Sequence, residues 1–153
     1  MSYRLNKFVA TAAGIGYWPM APGTWAALAS AVTWFVLCKF FPNSFYWQLI
    51  IILFTIVAGI YCSGKILNES DKDPNYIVID EVAGMLVTIL FISPTLLNFG
   101  IGLLLFRFFD ILKPFGIKKM ERIRKGWGIM LDDLLAGIYS TIILRLLIGM
   151  KIW

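Results

Sequence analysis

Apolar runs close to the length of a bilayer-crossing helix follow one another along this chain, over 24–41, 45–62, 77–92, 96–112 and 129–149. The first two would each extend roughly 27 Å as helix, close to the thickness of a hydrocarbon core. FPNS (41–44) and SPT (93–95) read as breaks between runs, and 63–76 and 113–128 are the long polar connections. Composition agrees: 59% of the 153 residues are hydrophobic and only 15% are charged, with a mean hydropathy of +0.79. A soluble domain is usually nearer a quarter charged. The expected fold is one all-α domain over residues 1–153, a polytopic membrane helical bundle with four to five membrane segments. Gly14, Gly16, Pro19, Pro22 and Gly23 interrupt the N-terminal apolar stretch too early for a signal peptide.

Charge sets the expected topology. With a cytoplasmic N-terminus and five crossings, only Lys39, Arg145 and Lys151 of the 14 Lys and Arg residues fall on the far side, as the positive-inside rule favours. All nine carboxylates also fall on the cytoplasmic side, which that rule does not explain. Acids and bases gathered at one face suggest a polar site facing the cytoplasm. The net charge of +5 is better matched to anionic lipid than to nucleic acid, because the basic residues bracket apolar segments. Trp127 and Trp153 flank the last run as interfacial belt residues, and Arg145 is placed to snorkel. The basic run KKMERIRK (118–125) reads as a headgroup-facing stretch.

Carboxylates inside such runs are costly, about 2.5–3.5 kcal/mol each at a helix centre on insertion scales. Two pairs occur: Asp80 and Glu81 in IDEVAGM (79–85), and Asp132 and Asp133 in LDDLLAG (131–137). Gly84 lies one turn after Asp80, Ala136 one turn after Asp132 and Gly137 one turn after Asp133. Small residues stacked beside the acids let two helices approach closely, so the pairs are expected to face each other around a cation. Oxygen donors without His or Cys suit Mg²⁺. Acids that merely complement a helix N-terminus are the simpler alternative.

In FRFFDILKP (106–114) a spacing of three brings Arg107, Asp110 and Lys113 side by side before Pro114 ends the helix. Arg107 could grip a phosphate in bidentate fashion and Lys113 could act as a point charge; an intrahelical salt-bridge ladder is the alternative. GIGYWPMAPGTW (14–25) leads into Thr24, expected as the N-cap of the first long helix. Free N–H groups there, at Gly23 and Thr24, could hold an anion. No Walker motif is present.

Acids, a divalent cation, Arg and Lys at headgroup level point to phosphoryl chemistry on a lipid. The chain has no histidine, so a phosphohistidine route is excluded. A cysteine phosphatase needs Arg six residues after its Cys, where Ser44 and Asn68 stand. DKDPN (71–75) has no preceding strand to make an aspartyl-phosphate loop. Water or direct carboxylate attack remains.

The four motifs GIGYWPMAPGTW, VIDEVAGM, FRFFDILKP and GWGIMLDDLLAGIY, in this order, resemble the phosphatidylglycerophosphatase A family over most of the chain. KPFGI (113–117) stands where the family commonly has Lys-Pro-Trp-Pro-Ile, and Lys125 where the first glycine of a Gly-Gly pair is usual. The resemblance implies a helical bundle around a central helix, in the bacterial inner membrane with its site at the cytoplasm. It implies a Mg²⁺-dependent phosphatase that converts phosphatidylglycerophosphate, an anionic phospholipid, to phosphatidylglycerol. Asp80, Glu81, Asp132 and Asp133 are then metal-binding or catalytic acids, and Arg107, Asp110 and Lys113 are site residues. An alcohol phosphatidyltransferase fits poorly, since Leu134 follows Asp133 and no later carboxylate exists. A membrane assembly subunit with acids paired to bases is the non-enzymatic alternative.

Overall fold

The computed structural model describes residues 2–41, 44–67, 74–120, 123 and 126–150. Pro42 and Asn43 of the expected turn, Asp71 to Asp73 of DKDPN, Glu121, Arg122, Arg124 and Lys125 of the basic run, Lys151 and Trp153 lie outside them. Among the described residues the regular structure is helical: α1 (Tyr3–Ala10), a 3-10 turn (Ile15–Tyr17), α2 (Pro22–Phe40), α3 (Ser44–Ile66), α4 (Ile79–Thr88), α5 (Leu96–Leu112), α6 (Ile117–Met120) and α7 (Gly126–Gly149).

Two stretches are long and apolar enough to cross a membrane, Pro22–Phe40 with 19 residues and Phe45–Ile66 with 22. Their outer faces carry bare apolar side chains: Leu53 is 64% exposed and Phe54 73%, a pattern that suits contact with lipid rather than water. α7 is 24 residues long but carries Asp132, Asp133 and Arg145.

α4 is the hub, touching α2, α3, α5 and α7. Seven of its residues are buried, from Ile79 and Asp80 through Ala83, Gly84, Met85 and Leu86 to Thr88. Met85 and Leu86 join Ala27, Trp34, Phe99, Phe106 and Ala136 in the main core, and a second cluster around Cys62, Ile77, Ile79 and Met130 packs below α1.

The apolar run 77–92 is thus helical over only 10 residues, about 15 Å, half a hydrocarbon core. The reason lies in other helices. The last carbonyls of a helix need partners, above all in apolar surroundings. Gln48 of α3 donates to Leu86 O at 3.2 Å, and Thr141 of α7 donates to Val87 O at 2.8 Å. Arg145 donates to Leu90 O at 3.1 Å while its guanidinium lies over the Phe91 ring. The chain then turns at Phe91, whose φ is 61°.

Thr24 is not the N-cap of the first long helix. Pro22 opens α2 at N1 and Ala21, with φ 46°, is the capping residue; proline's fixed φ suits the first helical position. At α5 the expected break does cap the helix, as Thr95 accepts from Asn98 N at 3.1 Å.

Candidate active site

Four segments converge at one end of the bundle: the first turn of α2, the first turn of α4, the last turns of α5 and the second turn of α7. α4 and α7 cross in close contact because glycines meet there. A Cβ on Gly137 would stand 2.5 Å from Gly84 O, and one on Gly84 would stand 2.7 Å from Asp133 O. The small residues stacked beside the acids therefore do bring the two acidic segments together.

One carboxylate oxygen each from Asp80, Glu81 and Asp133 lies within 4.8 Å of the others. Asp80 and Asp133 are 6% and 3% exposed. Asp132 is not a member of this trio; Lys113 Nζ donates to its Oδ2 at 2.6 Å. Neighbouring residues on a helix point about 100° apart, so one carboxylate of the pair faces α4 and the other faces the end of α5. Lys113 is the C-cap of α5, with φ 46°, and this left-handed residue before Pro114 aims its side chain across to α7.

Arg107 joins the two halves of the site. Its Nη1 lies 2.6 Å from Asp110 Oδ2 and 3.9 Å from Glu81 Oε1. The i,i+3 spacing on α5 thus forms the Arg107–Asp110 rung of the alternative salt-bridge ladder, while Lys113 pairs with Asp132 of α7 instead. Gly23 sits in the first turn of α2, where a Cβ would overlap Glu81 Oε1 and stand 3.2 Å from Arg107 Nη1. Glycine at this position is what lets α2 close over the carboxylate. The N–H groups of Gly23 and Thr24, in the first turn after Pro22, have no acceptor within their own helix. They give this corner a partial positive charge that favours anions.

The trio fits a divalent ion such as Mg²⁺. All its donors are oxygens, and three carboxylates this close repel strongly at low dielectric without a cation among them. Asp133 Oδ2 and Glu81 Oε2 are buried and accept no hydrogen bond among the described residues. Asp110, 8% exposed, adds a further negative group beside Asp133.

One part of the neighbourhood has no counterpart in the reading by sequence. Val78, the residue that caps α4 two positions before Asp80, donates its N–H to Ala10 O at 2.9 Å, so α1 fixes the approach to α4. A Cβ on Gly16 would overlap Tyr76 O, and Lys7 lies over the rings of Tyr17 and Tyr76 at 5.4 and 5.5 Å. The available signal was Arg4 and Lys7 spaced among Tyr3, Leu5 and Phe8 at helical intervals.

A family profile described as Phosphatidylglycerophosphatase A matches residues 8–148, a span that contains every residue of this site. The chain belongs to the phosphatidylglycerophosphatase A family. It is thereby placed among the phosphatase hydrolases. Phosphatidylglycerophosphatase A of Haemophilus influenzae is 35% identical over 133 residues, 85% of this chain and 80% of that protein. The Escherichia coli protein of the same name is 33% identical over 136 residues, 86% of this chain and 76% of its own. A Bacteroides thetaiotaomicron protein, provisionally named a phosphatidylinositol-3-phosphatase, is 36% identical over 146 residues, 92% of this chain and 91% of that one. No solved structure matches the chain. The phosphatidylglycerophosphatase A motifs are thus carried here by segments that meet in space, although more than a hundred residues of sequence separate Gly23 from Asp133.

Proposed function

We propose that this protein is a Mg²⁺-dependent phosphatase that hydrolyses the terminal phosphate of phosphatidylglycerophosphate to give phosphatidylglycerol and phosphate. The observation that carries the reading is the oxygen trio of Asp80, Glu81 and Asp133 within 4.8 Å, with the Arg107 guanidinium beside it. Asp80, Glu81 and Asp133 would hold the ion. When bound, it supplies positive charge against the phosphoryl oxygens.

The chain's own groups do the rest. Arg107 is held by Asp110, and its buried Nε has no hydrogen-bond partner among the described residues; it donates to a phosphoryl oxygen as charge builds there. The first-turn N–H groups of Gly23 and Thr24 bind the same anion from the α2 side. A carboxylate of the trio accepts the proton of the attacking water, which enters in line with the leaving glycerol oxygen. Lys113 adds long-range positive charge while its ammonium is engaged by Asp132, and so holds the start of α7 in place.

We further infer four to five membrane segments, with the shorter α4 completing the bundle from within. The site then opens at the cytoplasmic leaflet of the bacterial inner membrane. The excess of basic residues on that side supports this topology, as do α2 and α3, which are long and apolar enough to cross.

Phosphate release by the purified protein tests the proposal. Phosphatidylglycerophosphate, phosphatidic acid and phosphatidylinositol 3-phosphate are supplied separately, with Mg²⁺ or with chelator. The first should turn over fastest, and chelator or D133N should abolish release while the protein stays folded. Undiminished release with chelator would remove the metal. Preference for the inositol lipid, the substrate class named for the Bacteroides relative, would change the substrate.

A further inference from the structure

An apolar groove of about 260 Å³ opens between α2, α3 and α4. Ala26, Ala29, Trp34, Leu37, Val82 and Leu86 line it. Two hydroxyls on its wall are used internally: Ser30 Oγ donates to Ala27 O at 2.8 Å and Thr55 Oγ1 to Ile51 O at 2.7 Å. The third lining hydroxyl, Thr33, is at the exposed edge, so what fills the buried part needs no hydrogen bonds, and water would find few partners there.

The groove lies beside the acids. Val82 directly follows Glu81, and Ala26 lies one turn along α2 from Gly23, which packs on the Glu81 carboxylate. From Ala26 it follows α2 to Leu37, roughly 16 Å of helix, away from the charged end and along the two helices able to cross a membrane.

We propose that this groove seats one fatty acyl chain of the lipid substrate while the phosphate lies among the acids. The inference rests on the phosphatase reading above and adds a site to it. An apolar groove with a charged cluster beside one end matches an amphiphile whose phosphate and chain are joined in that order. A chain that moves from bilayer to groove exchanges one apolar environment for another, so little is gained in transfer. The gain is orientation, since a seated chain fixes the headgroup against the acids.

Ala29 lies half-buried on the lip, where A29W fills the groove. The ratio of kcat/KM on long-chain phosphatidylglycerophosphate to that on the chain-free glycerophosphoglycerophosphate should fall at least tenfold. G100W fills a second apolar groove, between α2 and α5, and should leave the ratio near the wild-type value. If A29W fails to fold, T33W at the exposed edge of the same groove replaces it. An unchanged ratio in the folded variant, or an equal fall in G100W, overturns the proposal.

A second readout does not depend on turnover. Trp34 is 4% exposed and lines the groove. Phosphatidylglycerophosphate with brominated acyl chains should quench the part of the emission lost in W34F more strongly than brominated phosphatidylcholine does at equal mole fraction. Equal quenching overturns the groove. Absence of any phosphate release by the wild type overturns the phosphatase reading instead, and the quenching comparison then decides the groove by itself.

Discussion

Alanine at position 23 should disable the protein without unfolding it. Gly23 is buried in the first turn of α2, and its new Cβ would overlap Glu81 Oε1 and press on Arg107 Nη1 at 3.2 Å. Either α2 or the glutamate must move. α2 is anchored through Ala27, Ala31 and Trp34 in the core, whereas a carboxylate at the end of a flexible side chain swings cheaply. The glutamate therefore moves, by on the order of 1 Å, and a misplacement of that size in a positioned site costs about 10²-fold in rate. This corresponds to about 2.7 kcal/mol of barrier. Stability should hold, since alanine favours helix over glycine by about 0.5–1 kcal/mol. The assay is phosphate release in mixed micelles, with thermal unfolding of the same sample. We expect kcat to fall about 10²-fold and Tm to stay within about 2 °C. G100A, where nothing lies within 4 Å of a new Cβ, should retain wild-type kcat. Wild-type turnover in G23A would refute the placement of Glu81 at the reacting phosphate. A collapse of Tm would refute the claim that the side chain yields before the helix.

Two further variants test the packing around the acids. K113M removes the ammonium 2.6 Å from Asp132, whose side chain is 4% exposed, and should cost about 3 kcal/mol in thermal or denaturant unfolding; K113M/D132N should recover most of that loss. G137V forces a side chain against Gly84 O, backbone against which α7 cannot relax. It should lower stability by about 1–3 kcal/mol and reduce phosphate release with it, because the trio spans that crossing.

Where local chemistry governs, the sequence is legible. The bounds of α5 follow from Thr95 before it and Pro114 after it, and the close crossing of α4 and α7 follows from Gly84 and Gly137 one turn past their acids. Three features are not local. α4 stops where Gln48, Thr141 and Arg145 reach in from elsewhere, and no pattern within 77–92 reveals that. α2 starts two residues before Thr24 because Ala21 adopts a left-handed conformation, for which alanine gives no signal. The division of the last acidic pair between Asp133 with α4 and Asp132 with Lys113 depends on where α5 ends in space. At eight residues, α1 is too short for its periodicity to stand out.

The acid trio draws two members from α4 and the third from α7. A fragment that ends with α5 holds Asp80, Glu81 and Arg107 but lacks the third acid. Asp133 follows α5 in the order of synthesis, so a fragment that stops before α7 cannot assemble the cluster. On the role proposed for the trio, such a fragment should release no phosphate.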